Sequence, residues 1–184
     1  MKITLAGSPG SGKSTLRNML AEHYGLKIKG TGDFMRELSK KHGYSDITKF
    51  ISEYVSEHPE IDLQVDEEQR IFGEENEEFV LDAHLGFHFV PDSIRICLRC
   101  DTAESARRIL GDKKRTTEDA KTVSESIESS VKRRAVMRKN YHNLYQVDID
   151  DLKNFDFVLD TTSLSYEEVF EKVISFIEQS ISKN

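Results

Sequence analysis

The sequence lacks any apolar run long enough for a signal core or a membrane span, and it carries no internal repeat or low-complexity stretch. Positive charge is in short supply. Its 26 lysines and arginines face 33 acids, a formal charge of −7, which argues against a general nucleic-acid binder because phosphate-backbone affinity needs a face dense in cations. Cysteine is scarcer still. Cys97 and Cys100 form one C-x-x-C, the pattern of a redox pair or half a zinc site, but no second pair follows. They lie in or just after an alternating, strand-like run, where thiols commonly serve as small apolar side chains. His84 and His88 have metal-pair spacing but no further ligand cluster follows them. What remains is a chain of 184 residues, 37% hydrophobic, the size of one compact core with short inserted segments. Met1-Lys2 leads straight into a strand, so a cytoplasmic protein is expected, as a monomer or simple homodimer, without membrane, DNA or RNA partners.

Against these absences one stretch is explicit. Gly7-Ser8-Pro9-Gly10-Ser11-Gly12-Lys13-Ser14, with Thr15 following, fits G-x-x-x-x-G-K-[ST] directly after the strand-like run Lys2–Ala6. Glycines there let successive backbone N–H groups converge on an anion, with a helix N-terminus behind them. The pattern predicts that residues 7–15 cradle a nucleoside triphosphate, that Lys13 neutralises its β and γ phosphates, and that Ser14 helps hold Mg²⁺. Asp82, at the end of another apolar run, is the second candidate for the metal, directly or through water. No N-K-x-D segment for guanine follows, which disfavours a GTPase switch.

The rest of the chain alternates helical and strand patterns. Leu26–Lys29, Glu78–Asp82, Ser93–Arg99 and Phe155–Leu159 read as strands two to five. Helices are expected over Thr15–Tyr24, Ala103–Leu110, Thr117–Tyr141 and Tyr166–Ile181, with about three more between Thr31 and Glu75. Ser165 and Glu168 have the spacing of a capping box. Such alternation predicts a three-layer α/β fold around a five-stranded parallel sheet.

A phosphate cradle alone leaves many enzyme classes open. Thr31-Gly32-Asp33-Phe34-Met35-Arg36 narrows them, because it follows the second strand and opens a helix at the carboxyl edge of the sheet. This T-G-D-x-x-R segment resembles the acceptor motif of nucleoside monophosphate kinases. Ile61-Asp62 through Asp66 to Gln69, Val90-Pro91-Asp92-Ser93, and Asp148-Ile149-Asp150-Asp151-Leu152 before Phe155–Ser163 are similar to cytidylate kinases, notably the short archaeal type. The resemblance implies a P-loop kinase with a helical acceptor-binding insert at about 31–76 and a short lid at about 111–117. It also implies ATP with Mg²⁺ as donor, a nucleoside monophosphate such as CMP or dCMP as acceptor, and the donor adenine near Thr162.

Within that resemblance Thr31, Gly32, Asp33, Arg36, Asp66, Gln69 and His84 would bind the acceptor. Lys13, Arg36, Arg108, Arg115, Arg134 and Arg138 would carry the charge of transfer, because phosphoryl transfer needs alignment and cations more than covalent help. Two positions depart from the family. Where it places an arginine after the third strand this chain has His84, and its R-Y pair reads Asn140-Tyr141. An imidazole does not reproduce arginine's bidentate fork. Two rivals therefore stay open on the residues: an adenylate kinase-like or other small-molecule kinase, and an ATP-binding regulatory protein without transfer activity.

Overall fold

The computed structural model describes residues 1–45, 49–55, 57–58, 60–111 and 122–182. Its elements in chain order are β1 (Lys2–Gly7), α1 (Lys13–Tyr24), β2 (Lys27–Gly30), α2 (Thr31–Lys41) and a π-helical turn (Phe50–Val55). Then come α3 (Glu60–Glu75), β3 (Phe79–Asp82), α4 (Gly86–Phe89), β4 (Ile94–Arg99) and α5 (Thr102–Gly111). The chain closes with α6 (Val123–Tyr145), a 3₁₀ turn (Leu152–Asn154), β5 (Phe157–Asp160) and α7 (Tyr166–Ile181). Among the described residues, no helix is long and apolar enough to cross a membrane.

The five strands are all parallel, in the order β2-β3-β1-β4-β5. Central β1 pairs Ile3 with Val80 on one side and Ile94 on the other, so it is buried on both faces and reads as a continuous apolar run. Strand order reverses around β1: β2 and β3 lie to one side, β4 and β5 to the other. Ligands of open parallel sheets gather where such a reversal occurs, at the carboxyl ends. Here that end is the glycine-rich loop.

Two cores flank the sheet. Leu16 and Leu20 of α1 and Val169, Val173 and Ile177 of α7 pack on Ile3, Leu5 and Ile96. Phe34 and Leu38 of α2, Phe50, and Ile61 and Val65 of α3 pack on Phe79 and Leu81. Among the described residues, this second cluster joins α2, the π-helical turn and α3, between β2 and β3, to the sheet. A third cluster, Leu85, Phe87 and Ile149 with Met137 and Tyr141, seats α6.

Local signals fix the helix ends. Gly25 adopts φ 69° and donates its N–H to Ala21, closing α1 with a left-handed cap. Ser165 and Glu168 form the expected capping box, and Thr122 with Glu125 forms another that starts α6. Strand boundaries shift by one or two residues. At β5 the cause is visible: Phe155 closes the 3₁₀ turn through its N–H to Leu152, and the Asp156 carboxylate binds Arg95 through both its backbone N–H (2.9 Å) and its guanidinium. The long helix runs to Tyr145, a turn beyond its expected end. Of the expected lid only Gly111, the last residue of α5, falls within the described residues.

Gly7 at the end of β1 has φ 131°, and a Cβ there would lie 1.9 Å from the Leu98 carbonyl oxygen, which is backbone and cannot step aside. Gly7→Ala is expected to lower the free energy of unfolding by about 2 to 5 kcal/mol, from backbone strain plus overpacking, measured by urea denaturation. An unchanged midpoint would contradict this packing.

Candidate functional site

The cradle is held in place from three sides. The Ser11 hydroxyl, 1% exposed, donates to the Ser8 carbonyl at 2.8 Å and closes the loop on itself. The fully buried Thr161 hydroxyl lies 3.0 Å from the Ser11 carbonyl and 3.0 Å from that of Arg99, tying the loop to the ends of β4 and β5. From α5, the Ser105 hydroxyl donates to the Pro9 carbonyl, and Gly10 (φ 72°) passes so near that a Cβ would lie 2.7 Å from the Ser105 carbonyl oxygen. Gly12 (φ 91°) leads into the first turn of α1.

Pro9, Gly10, Gly12, Lys13, Ser14 and Thr15 line one wall of a cavity of about 760 Å³. Lys13 folds its Nζ onto the Gly7 (3.1 Å) and Ser8 (2.7 Å) carbonyls, so a cation stands at the mouth of the loop. Ser14 Oγ and Asp82 Oδ2 face each other at 3.5 Å. Oxygen ligands of Mg²⁺ sit at about 2.1 Å, so adjacent corners of its octahedron are about 3 Å apart. The hard oxygen pair is thus of the right kind and spacing for a divalent cation that also holds phosphate. Among the described residues no group of three or more His, Cys, Asp or Glu side chains could hold a metal alone.

A second cavity, about 1010 Å³, opens between α2, α3 and α6. Thr31, Met35, Leu63, Val136 and Leu144 give it an apolar lining, while Asp62, Asp66 and Asn140 supply polar groups. Asp66 is its most perturbed member. Burial pushes its carboxyl up to about 6, helped by the charge of Asp62, while hydrogen bonds from Tyr145 and Gln69 pull it down. Tyr145 donates its hydroxyl to Asp66 Oδ2 at 2.8 Å, and Gln69 donates Nε2 to Oδ1 at 3.1 Å. Burial likewise raises Asp62, and it raises the Tyr141 phenol alongside the charges of Asp66 and Asp62. Met137 belongs to the walls of both cavities, so the two abut.

The sequence-predicted residues divide unevenly between these spaces. Residues 9, 10 and 12–15 and Asp82 meet at the cradle, with Gly7, Ser8 and Ser11 behind it. Thr31 and Asp66 line the second cavity; Gln69 lies buried beneath Asp66. Gly32 sits beside the Arg36 guanidinium, and Arg36 pairs with Asp33 at 2.5 Å with its side chain 57% exposed. His84, expected on the acceptor side, lines the cradle cavity instead, because β3 ends beside β1 and its exit passes the loop.

Three cations are placed differently from their expected role. Arg108 lines the cradle cavity, yet its guanidinium binds the Thr161 (2.8 Å) and Thr162 (3.1 Å) carbonyls and Glu104 (3.0 Å), clamping the loop after β5. Arg134 pairs with Asp150 (Nε at 2.8 Å) and Arg138 with Asp148 (2.7 Å), and both line a separate groove on the other side of α6. The acids of residues 148–150 hold them there. Arg115 lies outside the described residues. Thr162 is turned to structure: its hydroxyl donates to Asp160 Oδ1 (2.5 Å) and accepts from the Asp101 N–H (2.9 Å).

Some contributors escape the motif pattern. Tyr145 and Tyr141 look like packing residues at one-turn spacing, and only the fold brings them to Asp66. Tyr166, half exposed, sets its ring over the cradle, 3.6 Å from where a Gly12 Cβ would lie. Its position as the first residue of α7 was the available signal. Cys97 and Cys100 are free thiols, both raised by burial, which makes them poor nucleophiles.

With this geometry in view, the comparisons with known proteins give one answer. The AAA domain family model matches residues 6–128. The cytidylate kinase of Archaeoglobus fulgidus is 31% identical over 179 residues, covering 97% of this chain and 95% of that one. A protein named S-adenosylmethionine-dependent nucleotide dehydratase, from Lacinutrix mariniflava, is 31% identical over 97% of this chain, which spans only 36% of that longer protein. Among solved structures, shikimate kinase from Bacteroides thetaiotaomicron superposes with a TM-score of 0.67 at 14% identity, over 99% of this chain and 98% of that one, a likeness of fold. The chain belongs to the P-loop nucleoside monophosphate kinase family, on its cytidylate kinase side.

The Asp66 site has a pH signature. Burial pushes its carboxyl up to about 6 from the ordinary range of a carboxylate, about 3.9, so the folded state holds the extra proton between those values and stability falls as pH rises through that window. Asp66→Asn removes the charge while keeping an acceptor for Tyr145. The variant is expected to gain melting temperature relative to wild type at pH 8 and to lose about half of that gain at pH 5. A difference that does not change with pH would refute this assignment.

Proposed function

We propose, starting from that family membership, that the chain transfers the γ-phosphoryl group of ATP to a pyrimidine nucleoside monophosphate, CMP or dCMP first. The single observation that carries this reading is the pair of abutting cavities, one walled by the phosphate cradle and the other by Asp66 under the cover of Tyr145. Backbone N–H groups of residues 10 and 12–14 hold the donor phosphates. Lys13 exchanges its two carbonyl partners for phosphate oxygens. Ser14 and Asp82 would hold Mg²⁺, which would offset the charge of the donor phosphates.

Arg36 holds the acceptor phosphate at the start of α2. An oxygen of that phosphate attacks the γ-phosphorus in line, the bond to the bridging β–γ oxygen breaks, and ADP leaves with the electron pair. No general base is needed when the acceptor is already a dianion. In the second cavity, an ionised Asp66 accepts a hydrogen bond from the exocyclic amino group of cytosine, as carboxylates do where they read that base. Uracil presents a carbonyl oxygen at the same place, which a carboxylate repels. The apolar walls from α3 and α6 give the base a dry slot, and dryness strengthens the polar contact. Rearrangement of Arg108, Arg134 or Arg138 off their present carboxylate and carbonyl partners would be required before any of them meets the phosphates.

A coupled assay with ATP-Mg²⁺ and CMP, dCMP, UMP and AMP tests the reading. ADP release is expected with CMP and dCMP above UMP and AMP, and none above background with any acceptor would refute it. Lys13→Ala is expected to lower kcat at least about a hundredfold, the usual cost of removing a charge that meets the transition state. Asp66→Asn is expected to narrow the preference for CMP over UMP, read as the ratio of kcat/KM values.

A further inference from the structure

Arg17 stands apart from the other arginines of this site. Arg36, Arg95, Arg108, Arg134 and Arg138 each hold a carboxylate. Among the described residues Arg17 holds none: its Nε and Nη2 reach only the side-chain oxygen of neighbouring Asn18, both at a long 3.3 Å. In a chain with seven more acids than bases, a half-buried guanidinium without an acid is a conspicuous choice. A guanidinium presents five donors and keeps its charge at every relevant pH. With one weak neutral acceptor for five donors, it has donors to spare for an anion.

Its position says what would satisfy it. Arg17 lies three residues beyond Ser14, on the same face of α1. Its Nη1 lies 3.2 Å from where a Gly30 Cβ would be, a point that is also 3.2 Å from the Asp82 carbonyl oxygen and 3.5 Å from Asp33 Oδ2. The guanidinium therefore covers the end of β2, at the seam between the cradle helix and the first turn of α2, next to Thr31 of the second cavity. Any larger residue at 30 would press on it.

We infer that Arg17 is a ligand of the acceptor's phosphate, gripping a monophosphate dianion from α1 while Arg36 grips it from α2. The inference rests on the proposed transfer to a nucleoside monophosphate. A dianion entering beside Asp33 needs more than Arg36, whose charge is shared with Asp33 at 2.5 Å. His84, the residue after β3 that departs from the family's arginine, is in the other cavity. Arg17 supplies the missing fork from a different element. Because it is one helical turn from Ser14, the same residue also sets the distance between the acceptor phosphate and the donor's metal.

Calorimetry on the full chain, with a nonhydrolysable ATP analogue present, tests this independently of turnover. Arg17→Ala is expected to weaken CMP binding by about ten- to a hundredfold, the range for losing hydrogen bonds to a charged group, while affinity for the ATP analogue alone changes less than about twofold. Arg17→Lys is expected to recover part of the loss. If Arg17→Ala does not fold, as judged by thermal denaturation, Arg17→Gln takes its place with the same expected losses. CMP affinity equal to wild type, or an equal fall in affinity for the ATP analogue, would overturn the inference and leave the proposed function standing. A wild-type chain that binds none of CMP, dCMP, UMP or AMP would overturn both.

Discussion

The close approach of the loop after β1 to its neighbours is the constraint on which everything else in the molecule depends. Gly7 runs against the Leu98 carbonyl with no room for a methyl group, Gly10 against Ser105, and the Thr161 hydroxyl spans the carbonyls of Ser11 and Arg99. The Ser11 carbonyl is taken up by the Thr161 hydroxyl, the Pro9 carbonyl by that of Ser105, and the Gly7 and Ser8 carbonyls by the Lys13 ammonium. The loop carbonyls that would repel an anion are thus engaged. A set of fixed dipoles of one sign needs no reorganisation when phosphate arrives, which is the physical basis of tight anion binding in such turns. The same contacts explain why Thr161 is fully buried and why Arg108 is committed to the carbonyls of Thr161 and Thr162.

Electrostatics on the acceptor side follow a different logic. The chain is acidic, and most of its arginines near the site are held on carboxylates. Pairing keeps them oriented and lowers the field that a phosphate would feel. Asp62 and Asp66 go the other way: burial in an apolar slot raises both, the charge of Asp62 raises Asp66 further, and Tyr145 and Gln69 steady Asp66. The two cavities thus differ in character, one rich in amide dipoles and cations, the other apolar with a buried acid.

Much of this was legible from the residues. The glycine-rich loop, the alternation of elements and the Ser165 capping box depend on spacings of a few residues, and short-range chemistry fixes them. Thr31 and Asp66, from separate motifs, line the same cavity. The arginines are another matter. Arg134 and Arg138 are cations on one helical face, but which acids meet them depends on where residues 148–150 pass, a long-range consequence of how α6 packs on Leu85, Phe87 and Ile149. His84 faces the cradle cavity for a related reason, since the direction taken by a strand exit is set by its neighbours in the sheet. Tyr145 and Arg17 carry no motif at all. Their significance lies in what they face across the fold, Asp66 in one case and the end of β2 in the other.

Met137, which walls both cavities, gives the arrangement its kinetic character. A thioether on three rotatable bonds is an adaptable partition rather than a fixed one. Two ligands can then lie end to end with nothing rigid between their phosphates, and the reacting oxygen and phosphorus can meet without any side chain serving as a carrier. Under the proposed reaction this means a ternary complex and a single displacement at phosphorus, with inversion of its configuration, in place of a phosphorylated protein.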